Sequence, residues 1–460
     1  MGATVRFMRV LSRPGVTGCL LVYLALTAPG CSASTPEKVR VEAYSWWRRP
    51  SEQRAFDNIL RLYNASHSDA EAFNEASDTQ ADDVRETLTA RLLAGAPPST
   101  FQANLGADVL RWSVVDTTGG VLPSSSRIKP LSEFFSRRGL LPLLPQVLVK
   151  ELERGTAHEP YTVPIDIHRL NVLYYNTAAL SAFRERHAGK SFLDRELLCP
   201  ADLSARLADS DSKLDVKIAV GSKDTFALTL ITFESVLPAL AGPTLYDDLF
   251  RGRASGDWAS SVRTALMCVQ YLSRSFLDTR NDDWAEALAQ VATGNADFSV
   301  MGDWSNGELK SALQRGVVDA QPFPGSELSF VFTSDTFPLP VDVPYPKGAE
   351  DLLDVIASPE GQLEFSLDKG SIPARSDVDL SALGARALRT RQDFDSSAVT
   401  KVLATSGLFP PYFPGAELNA ALSAMTGPGA TAAQIEAVLA LLSDAQPLLA
   451  RWQSRLGREP

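Results

Sequence analysis

Thr89–Trp112 reads TARLLAGAPPSTFQANLGADVLRW. A helix runs out at Gly95, which tolerates the positive φ that a helix C-terminus favours, and Pro97-Pro98 cannot continue it. Ser99 to Ala103 is short and extended, Asn104-Leu105-Gly106 turns the chain, and a second helix follows. Gln102, Asn104 and Asp108 therefore gather just past the carboxyl end of a strand, where α/β sheets bind ligands. Such side chains hydrogen-bond hydroxyls and suit a polyhydroxylated ligand better than a phosphate or a metal. They also fit a solvated turn between a strand and a helix, so the rest of the chain must decide.

Upstream, Val39, Val41 and Ala43 alternate with charged residues, a strand pattern that ends in Tyr44-Ser45-Trp46-Trp47. A helix follows with Phe56, Ile59, Leu60 and Tyr63 along one stripe. Asp82-Asp83 stand where a cap belongs for the next helix, whose stripe is Val84, Leu88 and Leu92. This β-α-α-β-α order is that of a parallel or mixed sheet with helices on its faces. Downstream, residues 121–160 read as loops and short helices, and Tyr161–Asn176 as one long extended segment able to cross between two lobes. Phe298–Met301 is a strand ending in Gly302-Asp303-Trp304, and Leu328–Thr333 another, ending at Ser334-Asp335. A helix spans about Ala349 to Phe365, and the tail is helical with a breaker at Thr426–Ala430.

The 460 residues are enough for two domains. The net charge is −11, and removing residues 1–30 takes away three arginines and no acids, which makes the balance more negative still. That charge argues against nucleic acid and anionic membrane surfaces as partners. Residues 1–30 read as an export signal: arginines, an apolar run from Val16 to Thr27 too short for a comfortable span, then small residues before Cys31. This resembles a bacterial lipoprotein signal, with Ala28 where such signals usually carry Leu. Cys31 is then the lipidation site, residues 31–37 a tether, and that lipid the chain's only membrane attachment, in the periplasm or cell envelope. Ordinary secretory cleavage is the alternative. Cys199 and Cys268 remain, and in an oxidising compartment they form one disulfide or stay as two buried thiols.

The sequence contains no HExxH, GxSxG or GxGxxG motif. Gly189-Lys190-Ser191 has Arg184 where a phosphate-binding loop needs glycine, and the four histidines show no metal-ligand spacing. No cofactor or metal is expected. What recurs is aromatic residues beside amides or carboxylates at strand ends: Trp46-Trp47, Gln102/Asn104/Asp108, Asp303-Trp304 and Asp335. A sugar offers an apolar C–H face for indole rings and a rim of hydroxyls for Asp, Asn and Gln. Adjacent strand residues face opposite sides, so one of Trp46 and Trp47 is a candidate for the core.

Five segments carry a resemblance: Tyr44-Ser-Trp-Trp47, Arg91–Gln102, Pro164-Ile-Asp-Ile-His-Arg-Leu-Asn171, Met301-Gly-Asp-Trp304 and Lys369-Gly-Ser-Ile-Pro-Ala-Arg375. In this order and spacing they resemble the extracellular solute-binding proteins of carbohydrate ABC importers, with the glucose/galactose-binding type nearest. The resemblance runs from about Val39 to Asp379. It implies a two-lobed α/β fold of the periplasmic-binding-protein type (type II), with mixed sheets flanked by helices and a hinge between the lobes. The lobes are expected at 38–165 with 325–370, and 166–324 with 371–460. It further implies a monomer that closes over a monosaccharide such as glucose or galactose and delivers it to membrane permease subunits.

Carried over residue by residue, the resemblance assigns ligand binding to Trp46, Trp47, Gln102, Asn104, Asp108, His168, Asp303, Trp304, Asp335 and Lys369, with a structural role open for Lys369. Asn104 stands where the family's polar loop usually has histidine, Phe226 where a tryptophan is expected, and Asp166 where Asn usually precedes the histidine of that segment. Two rivals remain: a carbohydrate-active hydrolase using Asp303 with Asp335 or Asp108 as acid and base, and a degenerate relative with a sensory or interaction role.

Overall fold

The computed structural model describes residues 38–76, 81–113, 126–154, 158–223, 229–277, 283–427 and 429–456. The signal segment, the tether, Cys31 and Phe226 lie outside them.

Alternation at the start of the chain gives strand β1 (Val39–Ser45), with Val41 and Ala43 on the buried face. Helix Pro50–Ser66 follows, its proline in the first turn where no N–H is needed, and buries Phe56, Ile59, Leu60 and Tyr63. Strand β2 (Ala70–Ala76) then pairs parallel with β1, from Val39↔Ala70 to Ser45↔Ala76. Helix Ala81–Leu93 ends ahead of Gly95, which adopts φ 71°, and β3 (Thr100–Phe101) pairs parallel along the other edge of β1. The start is therefore β-α-β-α-β, not β-α-α-β-α: the strand AEAFNEA lies between the helices. Asp82 and Asp83 fall inside the second helix and not before it.

The chain changes sheet at Gln102. Strand β4 (Ala103–Asn104) pairs antiparallel with β11 (Asp335–Pro338), whose other edge takes β5 (Thr162–Pro164). The segment Tyr161–Asn176 is three strands in three sheets, not one extended piece. After β5 comes β6 (Asp166–Arg169), held between β12 (Ile372–Pro373) and β10 (Ser329–Thr333), with β13 (Thr400–Leu403) parallel to β10. Then β7 (Val172–Asn176) runs between β8 (Phe298–Met301) and β9 (Val318–Pro322).

Three passages therefore join the β1 and β11 sheets to the β6 and β7 sheets; the third runs from β11 to β12, and the two at Ile165 and Ser334 lie side by side. The Ile165 N–H donates to Asp335 O at 3.0 Å, and the Ser334 hydroxyl donates to Asp166 O at 2.5 Å. Arg169 and Asn171 clamp this region: Arg169 donates to Ser329 O at 2.8 Å, and Asn171 accepts from the Val331 N–H at 3.1 Å.

The helix expected from Ala349 to Phe365 is two helices, Pro346–Ala357 and Pro359–Lys369. Pro359 cannot continue the first, and Ser358 caps the second by accepting from the Gly361 N–H at 2.9 Å. Cys199 and Cys268 form a disulfide across 69 positions, and a closed loop of that length stabilises the fold by about 4 kcal/mol on chain-entropy grounds. Among the described residues no helix is long and apolar enough to cross a membrane.

Candidate functional site

The polar cluster sits where the two side-by-side passages meet. On β6, Asp166 and His168 are two residues apart and point to the same side; on β11, Asp335 opens the strand. His168 is 1 % exposed, Asp303 3 % and Asp335 6 %. The His168 Nδ1–H donates to Asp303 Oδ1 at 2.6 Å. Its Nε2 lies 2.8 Å from Asp166 Oδ2 and 3.5 Å from Asp335 Oδ2. Asp303 is set by the turn after β8, where its N–H donates to Arg169 O at 2.8 Å. The next residue, Trp304, is half-buried and meets the His168 ring edge-on at 5.6 Å. Gly302 permits this, because a Cβ there would overlap the indole.

Gln102 links the cluster to the first lobe's edge. Its Nε2–H donates to Asp335 Oδ1 at 2.8 Å, and its Oε1 accepts from the Trp46 N–H at 3.2 Å. Trp46 is half-buried, with the Arg85 guanidinium 5.1 Å from its ring centre. Asn104 stands opposite Asp335 in the β4–β11 register, and Thr333 Oγ1 donates to its Oδ1 at 3.5 Å. These residues form one connected wall.

Asp108, Trp47 and Lys369 face elsewhere. Asp108 is occupied on both oxygens: Arg85 donates to Oδ1 at 2.8 Å and to Oδ2 at 3.1 Å, and the Asn104 N–H donates to Oδ2 at 3.1 Å. Burial pushes its pKa up, but Arg85, Arg111 and these hydrogen bonds outweigh it and hold the carboxylate below the usual range. Its geometry makes it the anchor of the Asn104 turn. Trp47 is fully buried against Phe56, Phe337 and Phe365, with ring centres 5.2, 5.8 and 5.0 Å away. Lys369 lies over that indole, its Nζ 5.4 Å from the ring centre and 2.7 Å from Glu52 Oε1. Burial disfavours its charge, yet Glu52, Asp335 and Asp166 overcome this and raise its pKa.

The cluster's titration is set by the same competition. Burial opposes an imidazolium at His168, but the charge of Asp166 and the contacts with Asp166, Asp303 and Asp335 hold its pKa well above the ordinary value. Burial raises Asp166, with Asp335 adding and His168 opposing. For Asp335 burial also raises the pKa, but His168, Lys369 and Gln102 prevail and lower it. Asp166 entered the sequence reading only as a departure from a pattern. Its signal was the Asp-X-His spacing on a strand, which puts both side chains on one face; its third partner comes from β11 and cannot be read locally.

A separate cavity of about 300 Å³ is walled by Arg154, Asp247, Arg251, Arg253, Thr400 and Lys401, among others. Its arginines are matched by carboxylates: Arg251 donates to Glu151 at 2.8 Å and to Asp247 at 2.7 Å. No aromatic ring lines it among the described residues. A ring-free wall whose carboxylates are taken up by arginines suits a sugar less well than the crossing-strand cluster does.

Residues 75–363 match the family described as bacterial extracellular solute-binding protein. An uncharacterized ABC transporter extracellular-binding protein of Pyrococcus horikoshii is 27% identical over 384 residues, covering 80% of this chain and 82% of that protein. A probable sugar-binding periplasmic protein of Mesorhizobium japonicum is 27% identical over 384 residues, covering 80% of this chain and 85% of its own. Among solved structures, the bacterial solute receptor AcbH superposes with a TM-score of 0.69 at 14% identity, covering 90% of this chain and all of that one (100%). The family match extends over well more than half of the sequence, and the mixed α/β architecture is that of two-lobed binding proteins, so the chain belongs to the bacterial extracellular solute-binding proteins.

Proposed function

We propose that the chain is a lipid-anchored extracytoplasmic protein that captures a sugar, a monosaccharide of the glucose or galactose kind, and delivers it as a monomer to the permease subunits of an ABC importer. The observation that carries this reading is the connected wall from Trp46 through Gln102 and Asp335 to His168 and Asp303, ending at the half-buried Trp304. Indoles at both ends offer apolar faces, and amide, carboxylate and imidazole groups between them offer hydroxyl partners. The Mesorhizobium relative's name as a probable sugar-binding protein and AcbH's stated preference for β-D-galactopyranose point the same way. Trp46, Gln102, Asn104, His168, Asp303, Trp304 and Asp335 would contact the sugar; Asp108, Trp47 and Lys369 would hold the wall in shape.

The lobes are proposed as 38–165 with 325–370 and 166–324 with 371–460. Strand pairing favours moving the second boundary to Ser334, since β10 pairs with β6 and β11 with β5. Closure about these passages would bring the two lobes onto the ligand. A hydrolase needs one free acid and one free base, whereas Asp303 and Asp335 both lean on the same imidazole.

A thermal-shift panel of monosaccharides and disaccharides tests the proposal. A bound sugar at 100 times its Kd adds about 2.7 kcal/mol of stability. No response to any sugar would overturn sugar capture, and turnover of a responding sugar would overturn a binding-only role.

A further inference from the structure

We infer that Asp166, His168 and Asp335 form a site for a divalent first-row transition-metal ion, of the Zn2+ or Mn2+ class, at the meeting point of the two passages. One donor atom from each lies within 4.8 Å of the others, and all three residues are buried. An ion bonded at about 2.1 Å to each donor spans donor pairs up to about 4.2 Å apart. His168 Nε2 is 2.8 Å from Asp166 Oδ2 and 3.5 Å from Asp335 Oδ2, inside that reach.

Two of these atoms, Asp166 Oδ2 and His168 Nε2, are buried and have no hydrogen-bond partner among the described residues. Their mutual contact is close but misaligned for a hydrogen bond. Buried polar atoms are ordinarily paired, and leaving them unpaired costs the full desolvation of each. The opposite side of every ligand is, by contrast, fixed. Asp166 Oδ1 accepts from the Asp335 N–H at 3.0 Å, Asp335 Oδ1 accepts from Gln102 at 2.8 Å, and the His168 Nδ1–H donates to Asp303 at 2.6 Å. A carboxylate behind a histidine is the arrangement that orients an imidazole toward a metal. With Nδ1 donating to Asp303, a metal ion seated between Nε2 and the two carboxylates would displace the Nε2 proton and take over its positive charge.

Charge argues the same way. Asp166, Asp303 and Asp335 crowd one imidazole, and the nearby Lys369 ammonium is taken up by Glu52. One imidazole and two carboxylates leave coordination positions open and suit zinc or manganese, whereas calcium asks for six to eight oxygens. That the open positions take sugar hydroxyls rests on the sugar-binding reading; the metal site itself does not.

The test uses the full chain, tag removed and stripped with a chelator, titrated calorimetrically with Zn2+ and with Mn2+. One equivalent should bind, Asp303→Asn should weaken binding about 10- to 100-fold, and Asp166→Asn at least as much. Asp166→Asn keeps the acceptor for the Asp335 N–H, and circular dichroism confirms its fold. No uptake of either ion by the parent protein, or unchanged affinity in both variants, overturns the inference. Sugar stabilisation that persists without metal uptake refutes the metal site and leaves sugar capture standing. Metal uptake without any sugar response supports the site and refutes the assignment of its open positions to sugar hydroxyls.

Discussion

Replacing Trp47 with alanine removes an indole that is fully enclosed, and replacing its neighbour Trp46 removes one that is partly exposed; the two changes should fail in different ways. Trp47 packs on Phe56, Phe337 and Phe365 with ring centres 5.0–5.8 Å away, and the buried Lys369 ammonium sits 5.4 Å from its ring. Truncating a fully buried tryptophan costs about 3–5 kcal/mol through lost contacts and the cavity left behind. Losing a desolvated cation–π contact of up to about 2 kcal/mol puts this site toward the upper end. Trp46 should cost only about 1–2 kcal/mol of stability, because part of its surface already meets solvent. Its exposed face is the one a sugar would cover, so Trp46→Ala should weaken sugar binding by about 1.5–3 kcal/mol, roughly 10- to 100-fold. Ligand-free urea denaturation measures the first effect, and calorimetric titration with the responding sugar measures the second. A Trp47→Ala protein as stable as its parent but unable to bind, or a Trp46→Ala protein with unchanged affinity, would refute the assignment of core and ligand faces.

Lys369→Met should cost about 3–5 kcal/mol, because Glu52 is left buried without its partner, while Glu52→Gln combined with Lys369→Met should recover most of that loss in the same urea assay. Simple additivity of the two single changes would show that the pair is not coupled. Glu234 is buried, and its Oε1 accepts from the Tyr246 hydroxyl at 2.5 Å and from the Thr405 N–H at 2.8 Å. Burial raises its pKa above 4.5 in spite of these bonds, so the folded state favours the proton and loses stability as pH rises through that raised value. Glu234→Gln keeps an oxygen for both donors and does not titrate. Its stability relative to the parent should therefore improve as pH rises above 4.5, and a difference independent of pH would contradict the reasoning.

What the sequence revealed depended on how local the cause was. Strand β8 was readable because Phe298, Val300 and Met301 make it mostly apolar and it stops at a glycine, and the end of the second helix because Gly95 and two prolines leave no other choice. Strand β2 was hidden because AEAFNEA is rich in alanine and glutamate, residues of weak strand preference, and only pairing with β1 makes it a strand. The break at Pro359 is legible only from the proline itself, since the apolar spacing continues across it. The three strands inside Tyr161–Asn176 could not be separated locally: each takes partners from positions far along the chain. The site follows the same rule. Residue types pointed to Gln102, Asp303 and Asp335, which the fold does bring together, but which of two tryptophans is enclosed, and that Arg85 and the Asn104 N–H occupy Asp108, are decided by packing.

The position of the cluster has a consequence for affinity. A ligand shifts a conformational equilibrium only as far as it binds one state better than the other. Asp166 stands on β6 and Asp335 on β11, strands of different sheets, but the Asp335 N–H already donates to Asp166 Oδ1 at 3.0 Å, so a group held by both would act on recognition more than on closure. Farther out, Arg49 pairs with Asp283, and Ser51 donates to Glu308 at 2.9 Å through its N–H and at 2.6 Å through its hydroxyl. These contacts join the start of helix Pro50–Ser66 to residues 283–308 with no wall residue taking part. On the hinge-closure reading they set how much closed protein exists before any sugar arrives, and apparent affinity scales with that fraction. An affinity change at Arg49 or Glu308 would then report on closure, whereas one at Gln102 or Asp335, with ligand-free stability preserved, would report on recognition.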